Sequence, residues 1–264
     1  MSENKFDFPT EVIDLPSKGL LYSEGHPLRK GSVEIKYMTA REEDILASQS
    51  LIKKGVVLDK LFESVVVEPG LNVNDVFIGD KNAILLATRV MGYGADYEVE
   101  INDPFTLEAQ KTTIDLSKVK TKDFDESVLN GDNKYTFKLP KSGKELVFKL
   151  LTHGDELEIT KEIQSLERLY KGKGEKSFDV TTRLKYMIQS VDGNEDRAFI
   201  NKWIQNGFLA LDTKAFRKYV RDISPDMDLT FEFTSEITGE TEALDIPFGI
   251  SFFYPAEWLL NSTS

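Results

Sequence analysis

Chemistry in a protein needs a nucleophile, an acid–base pair, a metal or a cofactor cradle, and few residues of this chain qualify. The chain has two histidines, His26 and His153, and no cysteine. Disulfides and thiolate metal sites are therefore excluded. His153 precedes Gly154-Asp155 at a predicted helix start. A His–Asp hydrogen bond can be drawn there, but no nucleophile stands nearby in sequence, and the residue reads as a helix N-terminal position. His26, before Pro27, reads as a loop residue. The run Gly172-Lys173-Gly174-Glu175-Lys176-Ser177 has the outline of a phosphate loop. Glu175 stands where that loop needs glycine, which sets a negative charge where phosphate would lie. Met91-Gly92-Tyr93-Gly94-Ala95 offers a G-x-G that follows a helix instead of a strand, so it reads as a helix C-cap. Glu42-Glu43-Asp44 and Asp123-Phe124-Asp125-Glu126 lack the frame of a calcium loop. The first of these falls in a first helical turn, where the macrodipole favours carboxylates. No catalytic residue, cofactor or metal site is expected.

The elements that carry these residues fit an ordinary globular protein. The chain has 264 residues, 40% apolar and 30% charged, enough to bury a sizeable core as one large domain or two modest ones. It has no apolar run near the ~20 residues that span a bilayer, and Met1-Ser2-Glu3-Asn4-Lys5-Phe6 has no basic-then-apolar signal pattern. Folding in a cytoplasm, without membrane contact, is the expectation. A net charge of −12 opposes phosphate neutralisation, the main term in nucleic-acid affinity. Proteins are the expected partners.

The order of elements points to an internal duplication. Leu15-Pro16-Ser17-Lys18-Gly19 and Leu139-Pro140-Lys141-Ser142-Gly143 open two similar segments. Ile35-Lys36-Tyr37-Met38-Thr39 matches Phe148-Lys149-Leu150-Leu151-Thr152, and each Thr precedes an acidic residue by three positions, Glu42 or Asp155. Thr39 and Glu42 make a capping box, Thr152 and Asp155 a looser one. Leu58, Leu61, Phe62 and Val65 match Leu184, Met187, Ile188 and Val191 as helical apolar stripes. Third helices are expected to start with Asp80 and Asp212 as N-caps, and Arg89 then matches Arg221. The same spacing lays Tyr97-Glu98-Val99-Glu100-Ile101 on Leu229-Thr230-Phe231-Glu232-Phe233, alternating runs typical of half-buried strands. Second strands follow at Thr113–Leu116 and Leu244–Pro247. The fold class is α+β, two related lobes of strand, three helices and β-hairpin. An extra helix with Phe199, Ile200, Trp203 and Ile204 lies in the second. The expected layout is an extended arm at 1–14, repeats at 15–120 and 139–256 around a linker at 121–138, and a tail at 257–264.

The two ends are the candidate partner surfaces. The run Phe248–Pro255 leading to Trp258 reads as a last strand with one buried face. The secondary reading makes Phe253, Tyr254 and Trp258 hot-spot aromatics for a partner. The arm, with Phe6 and Phe8 and its prolines, is extended in character. It could pack on its own domain or add to a neighbour's sheet edge. Leu15, Pro16, Leu20 and Tyr22 just behind it complete the candidate contact set.

Several ordered runs resemble the baseplate hub proteins of T-even-type contractile-tailed phages. They are Leu15–Tyr22, Ile35–Leu46, Val180–Leu184, Arg217–Asp226 and Ile246–Pro255, which together reach across most of the chain. The resemblance implies a structural subunit of the hub, docking other hub, spike or tape-measure proteins in the virion tail after assembly in the host cytoplasm. It leaves open a transient assembly chaperone absent from the mature particle. A small soluble enzyme with a distributed site is a third reading, which would require a deep pocket of convergent polar groups. Some similar proteins carry Cys-x-x-Cys pairs at the hairpin tips as a zinc knuckle. Here the tips read Asn102-Asp103-Pro104-Phe105-Thr106 and Thr234-Ser235-Glu236-Ile237-Thr238-Gly239, so ordinary turns must close them and zinc is not expected.

Overall fold

Prolines and β-branched residues keep the start of the chain extended. The computed structural model describes residues 8–170 and 177–253, and in it β1 (Thr10–Asp14) pairs antiparallel with β2 (Ser32–Lys36). Residues 10–14 thus add to their own sheet, with Thr10 opposite Lys36 and Asp14 opposite Ser32. Next come α1 (Ala40–Ala47), α2 (Gln49–Lys53), α3 (Val57–Val65) and α4 (Ile78–Tyr93). The hairpin of β3 (Asp96–Asn102) and β4 (Ala109–Asp115) follows. The second half begins with a hairpin of β5 (Tyr135–Lys138) and β6 (Glu145–Phe148). It continues through α5 (His153–Tyr170), α6 (Asp179–Met187), β7 (Ile188–Val191), α7 (Arg197–Asn206) and α8 (Ala210–Ile223). It closes with the hairpin of β8 (Thr230–Thr234) and β9 (Thr241–Asp245), then a 3-10 turn at Ile250–Phe253. Mixed α and β elements with several small antiparallel sheets make up the described residues.

Local chemistry explains most boundaries. Thr39 and Glu42 form the capping box that starts α1. Glu42 is fully buried, and Lys36 Nζ and Ser64 Oγ also donate to it, at 2.8 and 2.7 Å. At the start of α5 the Thr152 backbone N–H donates to Asp155 at 3.1 Å, and Lys149 Nζ donates to the same carboxylate at 2.7 Å. α4 ends at Gly94, which adopts a φ of 83° open to glycine without strain. That is the C-cap expected of the G-x-G run.

Three expectations are corrected. The apolar stripe carried through Val191 breaks after Met187: Ile188–Val191 forms β7, antiparallel to β6, because pairing with that free strand edge overrides helical periodicity. The last strand is replaced by a 3-10 turn, which turns the adjacent Phe252 and Phe253 both inward, where a strand would alternate them. Asp80 and Asp212 do not cap their helices. Phe77 and Leu209 hold the cap positions, and the two carboxylates, one turn in, bind other segments.

Buried apolar side chains from both halves, among them Phe62, Ile84, Phe148, Ile200 and Phe216, belong to one contiguous cluster. Backbone bonds stitch the halves as well. His153 N–H donates to Val76 O at 2.7 Å and Ile78 N–H to Leu151 O at 3.3 Å. Lys122 N–H donates to Asp226 O at 2.8 Å and Asp228 N–H to Lys120 O at 2.7 Å. Gly79, in the first turn of α4, abuts the Pro225 carbonyl so closely that an added Cβ would overlap it.

Candidate docking surface

The two terminal hairpins lie tip to tip. Each tip is closed by a side-chain oxygen that gathers backbone donors. Asp103 Oδ1 accepts from Phe105 N–H at 2.8 Å and Thr106 N–H at 3.3 Å. Ser235 Oγ accepts from Ile237 and Thr238 N–H at 3.3 and 3.1 Å. The two closing residues then meet, Ser235 Oγ donating to Asp103 Oδ2 at 2.5 Å, with both almost wholly buried. Burial pushes the Asp103 carboxyl up, but the bonds from Ser235 and the turn outweigh it and hold it below the usual carboxylate range. Gln110 adds a second tie, donating to Thr234 O and accepting from Glu236 N–H, each at 3.0 Å. The positive φ each turn demands falls on Leu107 (62°) and Gly239 (73°).

The roots of the hairpins are fixed by Arg89 on α4. Its guanidinium donates to Phe252 O and Gly94 O at 2.7 Å and to Asp96 O at 3.2 Å. It lies over the rings of Tyr97 and Phe252. One cation thus joins helix end, strand start and C-terminal turn.

At the junction of the halves His153 is fully buried among α3, α4 and α5. Lys81 Nζ lies 3.1 Å from its Nδ1, which places the ring proton on Nε2. Asp59 Oδ1 stands 3.7 Å from Nδ1 and Glu63 Oε1 3.7 Å from Nε2. Lys81 and Asp59 are paired at 2.5 Å, and Phe62 packs edge-on to the ring. Burial and the Lys81 charge push the imidazole below its ordinary range. Asp155 is turned instead to Lys149, so the His–Asp bond drawn from the sequence does not form. The arrangement is a packed ion network without access for a substrate.

A cavity of ≈ 500 Å³ opens between α6, α8 and the loop before β8, with Leu150, Leu184 and Phe216 among its apolar walls. Several of its polar groups are committed to structure. Arg183 binds Glu156 and Asp179, Lys122 donates to Arg221 O, and Asp226 accepts from Asn82 at 3.1 Å. Burial raises the Asp226 carboxyl and lowers the Lys122 ammonium, and no nucleophile is paired with either.

The proposed partner residues fall in three places. Leu15, Pro16, Tyr22 and Phe253 are buried, which corrects their reading as surface contacts: their apolar character serves this chain's own core. Leu20 is half-buried, and Phe8 is exposed with Lys36 Nζ 5.2 Å from its ring. Phe6, Tyr254 and Trp258 lie outside the described residues, as does most of the glycine-lysine loop. The exposed apolar residues at the hairpin tips, Phe105, Leu107 and Ile237, were missed. Their signal was present as apolar side chains inside turns that are otherwise polar.

A protein-family model described as T4 bacteriophage base plate protein matches residues 10–253. The chain belongs to that family. No curated protein and no solved structure matches it. Membership supports a structural role in the phage tail baseplate and interaction with other baseplate proteins, and it suggests a role without catalysis. Among the described residues of this baseplate protein, no helix is long and apolar enough to cross a membrane. No group of His, Cys, Asp and Glu among them could hold a metal ion.

Proposed function

We propose that this baseplate protein is a structural subunit of the baseplate hub, assembled in the host cytoplasm and docking hub, spike or tape-measure neighbours through protein interfaces. The observation that carries the reading is the family match over nearly the whole chain, joined to the hub-like runs at Leu15–Tyr22 and Ile246–Pro255. Repeat boundaries at 15–120 and 139–256, with a linker at 121–138 and terminal segments at 1–14 and 257–264, go with it. The Lys36–Glu42 and Lys149–Asp155 pairs and the equivalent closures at Asp103 and Ser235 support a duplication. Such a chain offers two similar but unequal docking faces, suited to a junction between different partners. Phe8 and Leu20, with Phe6, Tyr254 and Trp258, are the end-surface contacts of this proposal.

Quantitative mass spectrometry of purified particles, with a reconstruction of the tail tip, tests it. A fixed copy number in density beside the central spike is the expected result. Absence from finished particles would instead mark a transient assembly chaperone, and density at the baseplate periphery would remove the hub placement. Superposing the two proposed lobes tests the duplication separately.

A further inference from the structure

We propose that the joined hairpin tips are a preformed docking arm for a basic protein surface. The statement rests on the docking role proposed above, but not on placement in the hub. Phe105, Leu107 and Ile237 are 38, 81 and 63% exposed, at the ends of hairpins whose other inward residues are packed. Leu107 carries a left-handed backbone with a leucine side chain, where the matching position of the other tip has Gly239. Folding gains nothing from a strained, exposed leucine that glycine would relieve. An apolar tip held this way is useful to something that covers it.

Charge identifies what covers it. Asp96–Asp115 and Thr230–Asp245 carry eleven acidic residues against Lys111 alone, a balance of ten negative charges in a chain of −12. Glu98, Glu100 and Glu108 on one hairpin and Glu236, Glu240 and Glu242 on the other are exposed. None of these six is in an ion pair among the described residues, where the close pairs lie elsewhere. They are also not grouped as a chelating cluster. Their mutual repulsion persists in the free protein and is relieved by a lysine- and arginine-rich surface. The same field rejects nucleic acid and anionic lipid. The occupant is therefore a protein face with basic residues around an apolar recess. The Asp103–Ser235 and Gln110 ties hold the tip in shape beforehand, which limits the entropy lost on binding.

The test places a photo-crosslinking amino acid at Ile237 of the full chain, supplied in cells infected with phage lacking the native gene. Leu211, 65% exposed on α8, serves as the control position. The expected result is a discrete adduct at 237 and not at 211, to a protein peptide with excess lysine and arginine. Changing the six glutamates to glutamine should cut its yield roughly tenfold. Leu107→Gly should cut the yield roughly threefold while raising the thermal midpoint, because it removes strain and contact together. No adduct above the control, an adduct to an acidic peptide, lipid or nucleic acid, or indifference to the glutamine changes would overturn the proposal. Particle content is measured in the same samples. Particles that contain the protein without the adduct sink the arm alone, whereas an adduct in lysate with particles lacking the protein sinks the structural-subunit reading alone.

Discussion

Ser17 is tied to Asp80 by both of its donors, the backbone N–H at 3.0 Å and the hydroxyl at 2.7 Å, across 63 residues of chain. Tyr22 O–H donates to the same carboxylate at 2.7 Å. Burial raises the Asp80 carboxyl, and burial with Asp80 beside it pushes the Tyr22 phenol up. In the second half Asp212 accepts from Lys141 and Ser142 N–H at 2.7 and 3.0 Å. The two Leu-Pro turns are thus each nailed to a later helix. Asp80→Ala strands three buried donors and should cost about 3 kcal/mol or more. Asp80→Asn keeps an acceptor and should cost clearly less. Urea unfolding of both variants checks this, and equal losses would count against the reading.

Glu42 gives the clearest acid response. Burial pushes its carboxyl up, but bonds from Lys36, Ser64 and Thr39 outweigh this and hold it at about 2, against an ordinary 4.5. A depressed carboxyl stabilises the fold fully above pH 4.5, and that contribution drains away as the pH falls through 2. Glu42→Ala should cost about 3 kcal/mol at neutral pH, because Lys36 is left charged and nearly buried. The loss should shrink on acidification, as seen by denaturant titration from pH 7 to pH 2.

His153 should impose its own slope. Its folded value lies below the ordinary 6.5, so above that pH both states are neutral and nothing is gained or lost. Below it the unfolded chain takes up the proton first, and stability falls as pH drops. His153→Phe should flatten the stability profile below pH 6.5 relative to the native chain. An unchanged slope would show that His153 does not set it.

Gly79→Ala should destabilise by about 1–3 kcal/mol through overlap with the Pro225 carbonyl. Gly249→Ala, where an added Cβ meets nothing nearby, should be near neutral. Parallel thermal melts of the two chains decide the point.

Ser235→Ala should lower the thermal midpoint by roughly 2–4 °C by stranding the buried Asp103 oxygen. Combined with Asp103→Ala, it should add much less than the sum of the separate losses. Strict additivity would mean that the tips do not depend on one another.

What was legible in the sequence follows from how local each signal is. The Thr39–Glu42 box, the Gly94 cap and the α7 stripe are written within four residues of where they act, and all stand in the structure. Ile188–Val191 was misread because Ile-Gln-Ser-Val, apolar only at its two ends, fits helix and strand alike, and only β6 decides between them. Phe253 was misread because a 3-10 turn and a strand share the same aromatic composition. Asp80 was placed at the right helix start with the wrong partner, since nothing near it names Ser17. For the docking surface, residue type alone pointed to the chain ends. Leu107 and Ile237 stand out only once their turns are known to be exposed and joined.

The bond between Ser235 and Asp103 also sets an order in time. A ribosome adding ~5–20 residues per second needs about 7–26 s to travel from one to the other. During that interval the first hairpin has no clamp, and the tip cannot take its final shape. A growing chain therefore cannot present the clamped tip until residue 235 has been made, so that any copy cut short before it lacks this shape by its own geometry.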